Sequence, residues 1–144
     1  MEEEEVEAPV RGRVYIVGAG PGDPELITLK ALKILQQADV VIYADSLVNP
    51  EVLRYVKSGC EIYQSSRMSL EEIVDVITRK VGEGKIVVRL KSGDPAIYGA
   101  LLEEILELEK AGIDYEIIPG VTAMTAAAAV SKISLTAPEK LQAI

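Results

Sequence analysis

The chain has 144 residues, which at roughly 150 residues per domain indicates a single domain. Hydrophobic residues make up 49% and charged residues 26% of it, a composition typical of globular proteins. Histidine is absent and Cys60 is the single cysteine, which excludes an internal disulfide, zinc sites built on His or Cys, and Ser-His-Asp or Cys-His nucleophiles. The formal net charge of −8 argues against a general nucleic-acid surface, because phosphate binding needs a basic face.

The N-terminal segment is dominated by glutamates, and we expect residues 1–12 to form a disordered acidic tail. No basic segment precedes an apolar stretch there, so no signal peptide is indicated. No apolar run approaches the roughly 20 residues that a membrane helix needs. Together with the single cysteine, these features predict a cytoplasmic protein that does not span a membrane.

After the tail, short β-branched runs alternate with amphipathic stretches. Residues 13–17 predict a buried strand that ends at a glycine-rich loop. The helix that follows carries its apolar residues on one face, namely Ile27, Ala31, Ile34 and Leu35. Residues 39–43 predict the second strand, and Asn49 and Pro50 then form an N-cap and a first-turn proline that open a short helix to about residue 57. Residues 60–63 predict a short third strand.

The second half of the chain begins with a capping box, in which Ser69 and Glu72 predict the start of a helix. The predicted inward stripe of this helix is Leu70, Ile73, Val74, Ile77 and Val81. Residues 85–90 predict the clearest strand, followed by a helix from about residue 97 to 111 with Gly112 as its C-terminal cap. The inward residues of that helix are Leu101, Ile105 and Leu108. Residues 114–118 predict the last strand, and residues 122–130 an alanine-rich helix.

Strands that alternate with helices and are almost continuously apolar indicate a parallel sheet covered on both faces. The sequence therefore predicts an α/β fold with a five-stranded, mainly parallel sheet and helices on both faces. Ligands of such folds bind at the carboxyl ends of the strands, so we expect the loops after the strands to carry the function.

Three loops at predicted strand ends have unusual sequences. Loop 1, residues 18–24 (GAGPGDP), does not match the dinucleotide fingerprint, because Asp23 occupies a glycine position, and it lacks the G-K-[ST] of a P-loop. Loop 2, residues 92–95 (SGDP), repeats the Gly-Asp-Pro of loop 1, and loop 3, residues 119–123 (PGVTA), enters a helix of small residues. A tight turn and ordinary helix capping by Asp-Pro remain alternatives for each loop, whereas the three loops in this order form a specific pattern.

Four segments carry a resemblance to a known family: GAGPGDPELITLKA, VVIYADSLVNP, VVRLKSGDPAIYG and IIPGVTAMTAAAA. Together they resemble the S-adenosylmethionine-dependent tetrapyrrole methylases over residues 13–139, which would form the N-terminal α/β domain of such an enzyme. The runs YADSLVNPEVL and SLEEI favour the branch that methylates corrin precursors in cobalamin synthesis. The resemblance implies a methyltransferase with a small-molecule tetrapyrrole substrate, S-adenosylmethionine as cofactor and S-adenosylhomocysteine as product.

The resemblance also implies which residues contact the cofactor. These residues lie in or just after the three loops and are Pro21, Ser92, Gly93, Asp94, Ile97, Thr122 and Ala123. Ser92 stands where glycine is commoner in the family, and close packing of small residues remains the alternative role of Thr122 and Ala123. Methyl transfer from a sulfonium needs alignment more than acid or base, so the absence of histidine is no obstacle. No catalytic residue and no metal site are assigned.

Asp45 and Ser46 follow the second strand and are predicted to face the substrate. Related methylases have an aspartate in a Y-D-R-L-V context that is proposed as a proton acceptor, but here the run YADSLV is one residue longer, and a capping role for Asp45 remains open. Arg67, Arg89 and Lys91 lie near strand ends, where they would meet substrate carboxylates; ordinary solvated charges are the default interpretation.

Family members continue beyond a segment like residues 134–139 into a second α/β domain. The resemblance therefore implies that residues 140–144 begin a linker and that the second domain is absent from this chain. We expect an isolated N-terminal half that is inactive or weakly active alone and that forms a homo-oligomer through its uncovered apolar face.

Several alternatives remain. The same fold would serve a relative with another substrate, such as uroporphyrinogen III, another precorrin, a diphthine precursor or ribosomal RNA, although the acidic charge disfavours RNA. An isolated or engineered non-catalytic scaffold domain is the alternative from a different class. A nucleotide-binding Rossmann domain is disfavoured by the mismatch in loop 1.

Overall fold

The computed structural model describes residues 8–97 and 100–136. Its five strands are β1 Arg13–Gly18, β2 Val40–Tyr43, β3 Glu61–Gln64, β4 Ile86–Lys91 and β5 Tyr115–Ile118. They form one sheet in the order β3-β2-β4-β1-β5, and all four pairings are parallel. The predicted α/β class and five-stranded sheet are therefore confirmed, and the described sheet is entirely parallel.

Four α-helices connect or follow these strands: α1 Leu29–Gln37, α2 Leu70–Gly82, α3 Leu101–Lys110 and α4 Ala123–Ser131. The short helix predicted from Asn49 is a 3₁₀ helix, Pro50–Tyr55, and Asn49 caps it as predicted. The helix predicted from residue 97 begins only at Leu101, and Tyr98 and Gly99 of the prediction lie outside the described residues. Ile27 likewise precedes α1, because Thr28 forms the N-cap.

The sheet separates two apolar cores. On one face α1 and the 3₁₀ helix Pro50–Tyr55 pack on the sheet, with Leu35, Val52 and Leu90 completely buried. On the other face α2 and α3 cover residues such as Ile16 and Val87. Helices on both faces are thus confirmed, and the side-chain alternation of β4 directs successive residues into opposite cores.

The inward face of α2 differs from its predicted stripe. Ile73 and Ile77 are buried as predicted, but Val76 and Lys80 are buried as well, whereas Val74 and Val81 are only partly buried. The ammonium of Lys80 lies 2.9 Å from Glu61 Oε2 at the edge of the sheet. A long cationic side chain can cover apolar surface with its methylene groups while its charge is paired, and a hydropathy pattern does not show this.

The first described residues are bound to the sheet. The amide of Val10 donates to the Tyr15 hydroxyl over 2.7 Å, and the amide of Gly12 donates to the Lys85 carbonyl over 3.1 Å. Residues 8–12, which the sequence assigns to a disordered tail, therefore have defined hydrogen bonds, and residues 1–7 lie outside the described residues. Within 8–97 and 100–136, no helix is long and apolar enough to cross a membrane.

Candidate functional site

Loops 1, 2 and 3 meet at the carboxyl edge of the sheet. β4 is the central strand and β1 lies between β4 and β5, so the loops after these three strands are neighbours. Gly20 and Gly93 form an antiparallel bridge, in which the Gly20 amide donates over 3.2 Å and the Gly93 amide over 2.8 Å. The amide of Ala19 also donates to the Lys91 carbonyl over 2.7 Å. Loops 1 and 2 are therefore joined through their backbones.

The glycines of this edge allow three backbones to approach one another closely. A Cβ on Gly18 would lie 2.5 Å from the Gly93 carbonyl oxygen and 2.9 Å from Cα of Gly120. A Cβ on Gly120 would collide with the same carbonyl oxygen of Gly93. Gly20 has φ +77°, and a Cβ there would lie 2.7 Å from the Leu26 carbonyl oxygen. Close packing of the backbones therefore explains why these positions are glycines, without a nucleotide-binding fingerprint.

Asp94 connects loop 2 with loop 3. Its Oδ1 accepts from the Ala96 amide over 2.8 Å, and its Oδ2 accepts from the Gly120 amide over 3.0 Å. The equivalent residue of loop 1, Asp23, accepts from the Glu25 amide over 2.9 Å as the cap of the 3₁₀ helix Pro24–Leu26. The capping interpretation therefore describes Asp23 well, whereas Asp94 adds a bond between loops.

A pocket of about 310 Å³ opens where the three loops meet. Its lining is Gly20, Pro21, Leu47, Ser92, Gly93, Asp94, Ile97, Thr122, Ala123 and Met124. All seven residues that the sequence assigns to the cofactor lie in this lining, and Gly20, Leu47 and Met124 were not assigned. Leu47 is 72% exposed and Met124 52% exposed, so the mouth of the pocket carries apolar side chains in contact with solvent.

The three unassigned lining residues differ in how far the sequence indicated them. Gly20 lies within loop 1, and its neighbour Pro21 was assigned. Met124 directly follows the assigned pair Thr122 and Ala123, and Thr122 caps α4 by accepting from the Thr125 amide. Leu47 comes from the loop after β2, and its position one residue after Ser46 was the available signal.

Asp45 and Ser46, the predicted substrate-facing residues, lie beside the pocket and not in its lining. Both carboxylate oxygens of Asp45 bind Ser66: Oδ1 accepts from the amide over 2.9 Å and Oδ2 from the hydroxyl over 2.6 Å. The hydroxyl and then the amide of Ser66 hold the pKa of Asp45 below its ordinary value. Asp45 thus fastens the loop after β2 to the 3₁₀ helix Ser65–Arg67, and its carboxylate is a weak base.

The default interpretation of Arg89 and Lys91 as solvated charges is wrong. Arg89 is 6% exposed and Lys91 8% exposed, and both are paired with Glu104 of α3, which is also buried. Odd-numbered residues of β4 face α2 and α3, so these two cations enter the interior beside Val87. Glu104 was missed, although it is three residues after Leu101 and four before Leu108 on the inward helical face. Arg67 is exposed as expected.

The described parts of the chain offer few other groups for metal binding or nucleophilic chemistry. No group of three or more His, Cys, Asp or Glu side chains there is arranged to hold a metal ion. Cys60 is partly buried, and its burial raises the pKa of the thiol to about 11, so it remains a protonated, weakly nucleophilic thiol at neutral pH. Asp94 is the ionisable side chain of the pocket lining.

A parallel α/β sheet with a pocket between glycine-rich loops at its carboxyl edge defines the class of domain that binds small molecules at strand ends. Within this class, the sequence model of the Tetrapyrrole (Corrin/Porphyrin) Methylases matches residues 13–144. The chain therefore belongs to the tetrapyrrole methylase family.

Two relatives from one organism, Methanocaldococcus jannaschii, indicate where in the family the chain lies. It is 58% identical over 132 residues to a cobalt-precorrin-4 C(11)-methyltransferase, covering 92% of this chain and 51% of that protein. It is 50% identical over 131 residues to a uroporphyrinogen-III C-methyltransferase, covering 87% of this chain and 54% of that protein. The chain spans about half the length of the curated relatives it matches.

Solved structures show the same fold. A cobalt precorrin-4 methyltransferase of cobalamin biosynthesis superposes with a TM-score of 0.88 at 51% identity, covering 92% of this chain and 55% of that one. A uroporphyrin-III C-methyltransferase from Thermus thermophilus, complexed with S-adenosylhomocysteine, superposes with a TM-score of 0.72 at 41% identity. That comparison covers 88% of this chain and 51% of the other.

Proposed function

We propose that the three-loop pocket binds S-adenosylmethionine and that the chain is the cofactor-binding, N-terminal half of a methyltransferase that acts on C11 of precorrin-4 in cobalamin synthesis. The observation that carries the proposal is the convergence of Pro21, Ser92–Asp94, Ile97 and Thr122–Ala123 on one pocket. A structure of the same fold is complexed with S-adenosylhomocysteine, which supports a pocket for this class of ligand.

The lining suits a ligand with both apolar and polar parts. Leu47, Ile97 and Met124 offer apolar contacts, and the glycine backbones of loops 1 and 2 leave no side chain between ligand and main chain. An ionised carboxylate has about four acceptor sites, so Asp94 can accept bonds from the ligand in addition to its two backbone donors. The pocket volume of about 310 Å³ is at the lower end for small-molecule sites.

Methyl transfer needs little acid or base from these residues. S-adenosylmethionine bound in the pocket would supply a sulfonium methyl group as the electrophile for the attacking substrate carbon. The task of this chain is to hold that group in line with the attacking carbon, an alignment that contributes about 7–11 kcal/mol in favourable cases. Asp45 and Ser46 would face the substrate beside the pocket, with Asp45 ionised and held by Ser66.

The proposed substrate rests on a comparison of how similar this chain is to two kinds of methyltransferase. Within one organism, the match to the cobalt-precorrin-4 enzyme is closer than the match to the uroporphyrinogen-III enzyme, 58% against 50% identity. Methylation of uroporphyrinogen III is the second candidate, since a uroporphyrinogen-III enzyme from Cyanidium caldarium is 51% identical. Assays with radiolabelled S-adenosylmethionine and each tetrapyrrole, incubated long enough to detect the weak activity expected of the chain alone, would separate the two: label in precorrin-4 alone supports the first, and label in uroporphyrinogen alone supports the second.

The proposal extends to partners and compartment. We expect a cytoplasmic protein that binds a small-molecule tetrapyrrole and no nucleic acid, in keeping with its net charge of −8. We also expect a homo-oligomer, because Val130 and Ile133 in and after α4 are 85% and 61% exposed. A clean monomer in sedimentation at high concentration would contradict the last point.

The cofactor proposal is tested by calorimetric titration of the chain with S-adenosylhomocysteine. We expect saturable binding that weakens about tenfold in Asp94→Asn, because a charge-assisted bond to the Gly120 amide becomes a neutral one. Asp23→Asn is the matched control, since Asp23 has the same Gly-Asp-Pro context and does not line the pocket. No binding by the unmodified chain at millimolar ligand would overturn the proposal.

A further inference from the structure

A buried cluster of charges adjoins loop 2 and lies outside the lining of the pocket. Arg89 Nε is 2.9 Å from Glu104 Oε1, and Lys91 Nζ is 3.1 Å from Glu104 Oε2. The guanidinium of Arg89 also donates to the Ile42 carbonyl over 3.3 Å. The side chains of Arg89 and Glu104 are more than nine-tenths buried, and that of Lys91 is about nine-tenths buried. The cluster therefore joins the end of β4 to the second turn of α3 through the protein interior.

The charges in this cluster are not arranged in the way that would best stabilise the fold. Two cations share one carboxylate, and among the described residues Glu104 Oε2 finds no partner with hydrogen-bond geometry, although the Lys91 ammonium lies 3.1 Å away. Burying ions costs free energy that pairing repays only when the geometry is good, and apolar residues of similar size often stabilise a core equally well. Stability is thus a poor explanation for placing these charges on an otherwise apolar face.

The position of the cluster links it to all three loops. Lys91 is the last residue of β4, and its carbonyl accepts from the Ala19 amide of loop 1 over 2.7 Å. The next residues form loop 2, whose Gly93 pairs with Gly20 and whose Asp94 accepts from Gly120 of loop 3. A shift of Lys91 would therefore move each of the three loops that line the pocket.

The beginning of α3 depends on the ion pairs that Glu104 forms with Arg89 and Lys91. The residue before the helix, Ala100, has no side-chain oxygen to cap it, so a frequent way of fixing a helix start is absent at this position. Leu108 is buried near the other end of the helix, whereas Leu101 at its start is only partly buried. Leu101 and Ile105 pack against the core on this face of the sheet, and Glu104 adds the ion pairs that join the first turns of α3 to β4.

We propose that Arg89, Lys91 and Glu104 form an ionic clamp that positions loop 2 for ligand binding, and that all three are positioning residues for the pocket. The clamp fixes the strand on one side of loop 2 and the helix that follows it, so the loop is held in its binding conformation before the ligand arrives. The identity of the ligand rests on the function proposed above; the mechanical role of the clamp does not.

The test uses Lys91→Met, which removes one cation and leaves Arg89 and Glu104 as a neutral pair of opposite charges. We expect its affinity for S-adenosylhomocysteine to fall about tenfold, a typical coupling between neighbouring sites. Lys110→Met is the matched control, because Lys110 is an exposed residue of α3, the helix that carries Glu104, and pairs with Glu107 at the surface. The affinity of this variant for S-adenosylhomocysteine should not change. Lys91→Arg keeps the charge and should retain most of the affinity; equal losses in Lys91→Met and Lys91→Arg would overturn the clamp.

Hydrogen exchange without any ligand supplies an independent readout. In Lys91→Met the amides of loop 2 and of the first turns of α3 should exchange faster, while those of β1 and β2 stay as in the unmodified chain. Glu104→Gln should show the same local pattern, and Glu103→Gln, at an exposed neighbouring position, should not. Unchanged exchange in loop 2, or equal acceleration throughout the sheet, would overturn the proposal. If the unmodified chain does not bind S-adenosylhomocysteine, the cofactor proposal fails and this exchange pattern still decides the clamp.

Discussion

Loops 1 and 2 contain the same Gly-Asp-Pro sequence but are fixed in different ways. In loop 1, Asp23 caps its own turn, and other elements hold the loop from outside: Asn49 donates to the Gly22 carbonyl over 2.9 Å, and the Tyr55 hydroxyl donates to the Pro24 carbonyl over 3.0 Å. In loop 2, Asp94 caps its turn and also reaches across to Gly120. An identical local motif thus has one role in one loop and two in the other, because a different neighbour lies opposite.

The difference has a structural origin in the sheet. Loop 2 follows β4, and β1 separates β4 from β5, so loop 2 reaches loop 3 only where glycines let the backbones pass closely. Gly18 of β1 and Gly120 of loop 3 provide that space, with the Gly93 carbonyl oxygen between them. The bond from Gly120 to Asp94 is therefore a consequence of close backbone packing as well as of the aspartate itself.

The largest effect should come from closing that space. Gly120→Ala would push a methyl group against the Gly93 carbonyl oxygen and Cα of Gly18, and both obstacles are backbone atoms that cannot rotate away. We expect a loss of about 3 kcal/mol in the free energy of unfolding, at the upper end for overpacking. Urea denaturation measures this loss. Gly82→Ala is the control, since nothing lies within 4 Å of its added Cβ, and it should be neutral or stabilising.

A smaller effect on the free energy of unfolding should distinguish Asp23 from Asp94. Asp23→Ala removes a turn cap, which costs about 1 kcal/mol. Asp94→Ala removes the same kind of cap and in addition the bond to Gly120, so its free energy of unfolding should fall by about 1 kcal/mol more. Parallel urea titrations of the two variants test this difference. Equal losses would mean that the bond between loops 2 and 3 contributes nothing to stability.

The smallest effect concerns the loop after β2, which Asp45 fastens to Ser66. Because the pKa of Asp45 is lowered in the folded state, its contribution to stability is present above the ordinary aspartate pKa of 3.8 and is lost as the pH falls through the lowered value. Ser66→Ala should raise the pKa of Asp45 towards its ordinary value, because the hydroxyl bond of 2.6 Å is lost. NMR titration of the Asp45 carboxyl carbon would measure this rise in pKa. An unchanged titration midpoint would contradict the proposed effect of the Ser66 hydroxyl on Asp45. Ser65→Ala is the matched control.

Most of the architecture could be predicted from the sequence, because it depends on local patterns. The β-branched runs predicted the ends of all five strands to within one residue, and the capping box of Ser69 and Glu72 predicted the start of α2. The helix start predicted at Ile97 was wrong by four residues, since an Asp-Pro pair resembles a helix N-terminus and here caps a turn that does not continue. The short segment after Asn49 became a 3₁₀ helix, which the same cap and proline also allow.

The pocket could be predicted from the sequence less completely than the architecture. Resemblance and loop sequence indicated seven of its lining residues, but Leu47 comes from a loop whose distance from the others depends on strand order. The charges of β4 were misjudged because a cation on a strand is normally exposed, and its carboxylate partner lies on a helix 13 residues or more further along the chain.

What the sequence by itself determined is the class of fold, the family and the loops that line the pocket, since each depends on residues close together in the chain. The tertiary structure alone decided that Asp94 binds Gly120, that Asp45 is occupied by Ser66, and that Arg89 and Lys91 share Glu104 inside the protein. These contacts join residues far apart in sequence, and their strength depends on burial and on atomic distances. A local pattern contains neither quantity.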